Sequence, residues 1–276
     1  MKLIDFDEKF RDYMTGWIRE NAARYKTADA LEAAAPKAYE DFTRASAAWL
    51  DGLSPQAYFA QMDDPEALVQ MLVAYDEAEL SPPDLLMERI TSIGRPAVPP
   101  LLRLLEDEQA CPCLRVTAAN LLLSLGAKQA VPACLRIVEK REQADEVADA
   151  AAELLTTLGE DATPQMLDRL ETASEAALET WLDILCNFPG DERIYQYTQR
   201  AFLNAPGKRA LYASLLGKLG DERAIAPLTK VMGQADINYL EYLEIANAID
   251  MLGGDAGDRN REFSGDPYYE TLKQLE

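Results

Sequence analysis

The stretch Leu219-Gly220-Asp221-Glu222-Arg223-Ala224-Ile225-Ala226-Pro227-Leu228 decides how the rest of the chain is read. A glycine after an apolar residue ends one helix in a left-handed turn, and Asp221 is placed to cap the next. Working outward, glycine recurs at Gly94, Gly126, Gly159, Gly190, Gly220 and Gly253, at intervals of 30 to 33 residues. Short polar turns follow, as in Gly94-Arg95-Pro96, Gly126-Ala127-Lys128 and Gly159-Glu160-Asp161, while Gly190-Asp191-Glu192-Arg193 repeats the tetrad at Gly220. The early prolines fall near the first turn of each new helix, where a missing N–H costs little. Self-similarity at this period is the mark of stacked helical hairpins, each burying its apolar face only against its neighbours.

Counting backwards from each glycine predicts the buried stripe of the second helix in every hairpin. Four residues before stand Ile90, Leu122, Leu155, Cys186, Leu216 and Ile249; eight before stand Leu86, Ala118, Ala151, Leu182, Tyr212 and Ile245. This spacing puts both sets on one helical face, joined by Ile93, Leu125, Leu158, Leu219 and Leu252 at the last position. Pro189 breaks that position in its unit, which predicts a helix ending a turn early, near Phe188.

Upstream, Phe6, Phe10, Tyr13, Met14, Trp17 and Ile18 form one aromatic face of an amphipathic helix. Thr27 is a candidate cap for a second helical stretch reaching about Leu50, divided or kinked at Pro36. Ser54-Pro55 and Asp64-Pro65 each read as a capping side chain before a proline at the first helical position. Downstream, Gly265-Asp266-Pro267 followed by Tyr268, Tyr269, Leu272 and Leu275 predicts a closing helix. The expected organisation is a helical N-terminal cap over 1–63, a repeat array over 64–254 and a C-terminal loop and capping helix over 255–276.

The repeated unit resembles HEAT repeats, in particular the short HEAT-like repeats first associated with phycobilin lyase subunits, which read Leu-Gly-Asp-x-Arg-Ala-Val-x-x-Leu. The resemblance covers about residues 65–254; it is looser in the Gly190 unit, where Ile194-Tyr195-Gln196-Tyr197 replaces the small residues, and it leaves out residues 1–60. It implies an all-α fold, an α-α superhelix of about six hairpins, and a concave surface lined by second helices. The position six before each glycine then faces away from the stripe, making Asn120, Glu153, Ile184, Ser214 and Asn247 the candidate partner-binding residues. Trp181 and Tyr212 are placed either to pack in the core or to line that surface.

Composition narrows the function. Lys and Arg number 27 against 48 Asp and Glu, a net charge of −21, and the excess is spread along the chain. Such a surface repels phosphate backbones, so nucleic acid is not the expected partner. The chain contains no histidine. That removes His general bases, Ser-His and Cys-His nucleophile pairs and HExxH zinc sites. Among proteins with HEAT-like folds it also excludes deoxyhypusine hydroxylases, which rely on His-Glu iron motifs, and the acidic surface speaks against the alkylpurine DNA glycosylases, which work from a basic groove.

Cys111-Pro112-Cys113 is the one short motif capable of soft-metal or redox chemistry, with Cys134 a helix away. With no histidine and no fourth ligand in sight, the expectation is reduced thiols at a loop-to-helix start and no metal. Glu146, Asp149 and Glu153 have the spacing of a solvated helix face rather than an acid-base pair. No targeting segment or membrane span is legible, which predicts a cytoplasmic protein. The sequence therefore points to a non-enzymatic scaffold without cofactor, binding a protein or peptide that carries a basic segment. The alternative implied by the resemblance is a phycobilin-lyase-like enzyme or chaperone subunit.

Overall fold

The computed structural model describes residues 3–25, 27–141, 144–257, 259 and 261–273, and among these every regular element is a helix. Contacts divide the chain into two units, Met1–Ala133 and Cys134–Glu276.

The first unit opens with α1 (Phe6–Asn21), capped by the Asp5 carboxylate, which accepts the Glu8 amide at 2.8 Å. Its aromatic face turns inward: Phe6 is buried, while Phe10, Tyr13, Met14 and Trp17 are half-buried. The stripe stops short of Ile18, which is 41% exposed. Two short helices follow, α2 (Ala28–Glu32) capped by Thr27, and α3 (Ala35–Arg44) with Pro36 in its first turn. Proline thus divides the stretch, because it can start a helix but not continue one. Phe10 meets Tyr39 edge-on at 5.1 Å and Phe42 at 5.2 Å, which seats α1 on α3.

Ser54 and Asp64 cap α4 (Pro55–Ala60) and α5 (Pro65–Glu77), each with proline in the first turn. Two hairpins complete the unit: α5 with α6 (Asp84–Ile93), and α7 (Val98–Glu106) with α8 (Pro112–Ser124). They lie side by side, since α5 packs on both α6 and α7, and α8 on both α6 and α7. The Tyr75 hydroxyl donates to the Ile4 carbonyl at 2.9 Å, tying the N-terminal segment to α5.

The boundary between the units falls inside α9 (Val131–Glu139). The second unit continues with α10 (Glu146–Leu158), α11 (Thr163–Leu167), α12 (Glu175–Leu185), α13 (Glu192–Asn204), α14 (Arg209–Leu219), α15 (Ile225–Met232) and α16 (Tyr239–Met251). Successive elements pair, α11 with α12, α13 with α14 and α15 with α16, and the second helices of neighbouring pairs touch: α10 with α12, and α14 with α16. The chain closes with α17 (Pro267–Lys273), where the Asp266 carboxylate accepts the amides of Tyr268 and Tyr269 and also that of Tyr239 on α16. Leu275, expected in this helix, lies outside the described residues.

The stripe counted from the glycines is the core. Each of its twelve residues at the fourth and eighth positions before a glycine is at most 1% exposed. A fully buried leucine or isoleucine contributes roughly 1.5–3 kcal/mol, so this face supplies much of the driving force for pairing the helices. The last position is drier in some units than others: Leu219 and Leu252 are buried, whereas Ile93, Leu125 and Leu158 are half-buried. All six glycines have positive φ, from 51° at Gly159 to 140° at Gly190. Gly159 has a second constraint, because a β-carbon there would stand 2.8 Å from the Phe188 ring. That ring belongs to the turn after α12, whose helix ends at Leu185, three residues before the expected Phe188.

Candidate functional site

In the second unit α10, α12 and α14 present a groove of about 580 Å³ lined by Arg141, Asp149, Ala152, Ala176, Glu179, Thr180, Asp183, Lys208 and Leu211. Small side chains at Ala152 and Ala176 open the space, and Leu211, 40% exposed, supplies an apolar wall. The rim is charged. Lys208 stands between Glu175 at 2.9 Å and Glu179 at 3.0 Å, which raises its pKa, Glu175 contributing most. Lys218 donates at 2.9 Å to both the carbonyl and the carboxylate of Asp183, fastening α14 to α12 a second time. Arg141 pairs with Asp149 at 2.7 Å.

The residues expected to face a partner are placed unevenly. Asn120, Glu153, Ser214 and Asn247 are exposed. Glu153 and Ser214 lie on α10 and α14, which line the groove, while Asn247 sits on α16 and accepts a hydrogen bond from Arg259 at 3.0 Å. Asn120 belongs to α8 in the first unit. Ile184 departs from the expectation: it is 2% exposed, in the core. The reason is its chemistry. On α12 the dry arc also takes in Ala177, Trp181, Leu182 and Leu185, and a branched apolar side chain at its edge gains by being covered, whereas Asn, Glu and Ser at the same position keep their water. Counting alone gives direction, not the width of the buried arc.

Trp181 and Tyr212 are core residues, 0% and 1% exposed, and do not line the groove. The Trp181 indole nitrogen meets no acceptor among the described residues. Glu146, Asp149 and Glu153 are exposed on one face of α10, as their spacing predicts.

A second cleft, about 530 Å³, runs between the turns at Gly190 and Gly220 and is lined by Asp191, Glu192, Tyr195, Asp221, Glu222 and Arg223, among others. Arg223 lies over the Tyr195 ring at 4.3 Å while holding the carboxylates of Asp221 and Glu192. The same hydrogen bonds raise the Arg223 pKa and lower those of both acids.

Cys111 and Cys113 overturn the expectation of free thiols, because the two are joined in a disulfide. Their positions explain it: two residues apart at the entry to α8, their α-carbons stand 5.4 Å from one another. Asp76, brought in by α5, places Oδ1 3.3 Å from each sulfur. No sequence spacing signals this third member, since it comes from 35 residues away. Cys134 and Cys186 are buried thiols. Burial pushes the Cys186 thiol up to about 11, opposed by its contact with Thr198.

The fold and these surfaces define an all-helical protein of paired helices with open, charged grooves. No protein-family model matches the chain, and no curated protein is similar to it. Among the described residues no helix is long and apolar enough to cross a membrane.

Proposed function

We propose that the paired helices are HEAT-like hairpins stacked as an α-α superhelix, and that the protein is a cytoplasmic scaffold binding a protein or peptide with a basic segment. The observation that carries this reading is the groove over α10, α12 and α14, where an exposed leucine and two alanines lie among the ion pairs Asp149–Arg141, Glu179–Lys208 and Asp183–Lys218. An extended or helical segment with one apolar side chain and flanking polar or charged groups complements such a surface. Ion pairs joining neighbouring hairpins, such as Lys208 to Glu175 and Arg223 to Glu192, support the stacking. The net charge of −21 supports attraction of a basic partner and disfavours nucleic acid.

Affinity capture with cross-linking tests the reading. A stoichiometric protein partner cross-linked to α10, α12 or α14, and lost on Leu211→Lys without loss of folding, is the expected result. Absence of any such partner, together with a bound pigment or a turnover that responds to the same substitution, replaces the scaffold by an enzyme or chaperone subunit.

A further inference from the structure

We infer that Cys111, Cys113 and Asp76 form a dithiol–disulfide exchange centre. It lies in the first unit and uses nothing of the groove in the second.

The disulfide has little to do as a staple. It encloses only Pro112, whose φ is already fixed by its ring, and it joins no helix to another. Disulfide stabilisation by restraint of the unfolded chain grows with the loop enclosed, so this loop is close to the least rewarding possible. A cross-link of this kind is more useful as chemistry than as structure. For a cytoplasmic protein the same conclusion follows from the compartment, where disulfides are mostly transient and catalytic or redox-sensing.

The surroundings leave one sulfur open to attack and set a hydrogen-bond donor beside the other. Cys113 is exposed and Cys111 half-buried, so an incoming thiolate reaches the Cys113 sulfur first. That attack forms a mixed disulfide and breaks the Cys111–Cys113 bond, expelling Cys111 as the thiolate. The Leu114 amide, 3.3 Å from the Cys111 sulfur, is placed to donate to the departing charge. A proton taken up at Cys111 gives a thiol that donates to Asp76. The second thiol of the same reductant then attacks the mixed disulfide and releases Cys113. In sum, two electrons and two protons pass from a small or protein dithiol to the pair, and the dithiol becomes a disulfide. The reverse reaction oxidises a dithiol substrate. Asp76 faces both sulfurs, placed to accept from whichever thiol is released.

The test uses the full chain. Native protein is equilibrated with graded ratios of reduced and oxidised dithiothreitol, quenched by alkylation and mapped by mass spectrometry. Cys111 and Cys113 are expected to pass together from disulfide to doubly alkylated, with Cys134 and Cys186 unmodified until the protein is denatured. The protein should also speed exchange between dithiothreitol and oxidised glutathione, and Cys113→Ser should abolish this. Asp76→Asn provides a readout that a merely structural role would not move. The reduced variant should alkylate faster at neutral pH, because a negative charge beside both sulfurs has been removed. A pair that stays oxidised in excess dithiothreitol, or stays reduced in oxidised dithiothreitol, overturns the inference. So does a reduced pair that takes up one zinc ion with Asp76 yet accelerates no exchange, or alkylation unaffected by Asp76→Asn.

Discussion

Arg223 binds two acids from consecutive hairpins at once, its Nη2 lying 2.6 Å from Asp221 in its own turn and 2.8 Å from Glu192 in the preceding one. Arg193 does the same one unit earlier, 2.9 Å from Asp191 and 3.6 Å from Asp168. The tetrad Gly-Asp-Glu-Arg therefore repeats a physical device as well as a string of letters. Its aspartate caps the next helical turn through the arginine's amide, and its arginine fastens that turn to the preceding unit.

Acid should loosen this link. Hydrogen bonds from Arg223 hold the carboxyls of Asp221 and Glu192 below their ordinary values. A depressed carboxylate contributes stability that is present above its unfolded-state value and is lost as pH falls through its folded-state value. Thermal melts from neutral pH down to about pH 3 should show a shallower acid decline in Arg223→Gln than in the parent chain. Glu192 and Arg223 are exposed and Asp221 half-buried, so the difference should shrink in molar salt, chiefly through the Glu192 pair.

Positions six before the glycines should separate into two behaviours. Alanine at Asn120, Glu153, Ser214 or Asn247 should leave unfolding free energy within about 0.5 kcal/mol of the parent, as for exposed sites. Ile184→Ala should cost about 2–5 kcal/mol, because it empties a covered site. Urea unfolding measures both, and equal costs across the set would contradict the exposures described above.

Two glycines in one hairpin should fail for different reasons. Gly220 has φ 77° with nothing within 4 Å of an added β-carbon, so Gly220→Ala should cost about 1–2 kcal/mol from backbone strain alone. Gly217 lies within α14, where a β-carbon would stand 3.1 Å from the Ala248 α-carbon on α16. Gly217→Leu should cost about 1–3 kcal/mol by forcing these helices apart. Gly220→Asn should recover part of the first loss, since asparagine tolerates the left-handed region, whereas Gly217→Asn should recover none.

The Cys186 thiol should be silent in the folded protein and should make it weaker in alkali. Its value rises from 9.0 to about 11 through burial, so the stabilisation is full below the unfolded value and is lost as pH rises through about 11. Alkylation of the native chain at mildly alkaline pH should spare Cys186, and Cys186→Ala should flatten the alkaline limb of the stability profile.

Periodicity made the helical pairing legible because a helix buries residues at fixed offsets from its end, and a left-handed glycine marks that end. Hence the stripe from Leu86 to Ile249 and the caps at Thr27, Ser54, Asp64 and Asp221 all stood in the sequence. The groove was only half legible. Glu153 and Ser214 indicated the right helices, but Lys208, Leu211 and Ala176 line it through the spacing between helices, which no single helix encodes.

The sequence by itself determined that this is an all-helical chain of repeated pairs with an acidic surface and no histidine chemistry, because those properties depend on residue type and on separations within one turn or one helix. Tertiary structure alone decided that Ile184 is covered and that Asp76 comes within 3.3 Å of two sulfurs. Covering and convergence both depend on which surface of another helix arrives, and that is fixed by packing across separations longer than any local pattern spans.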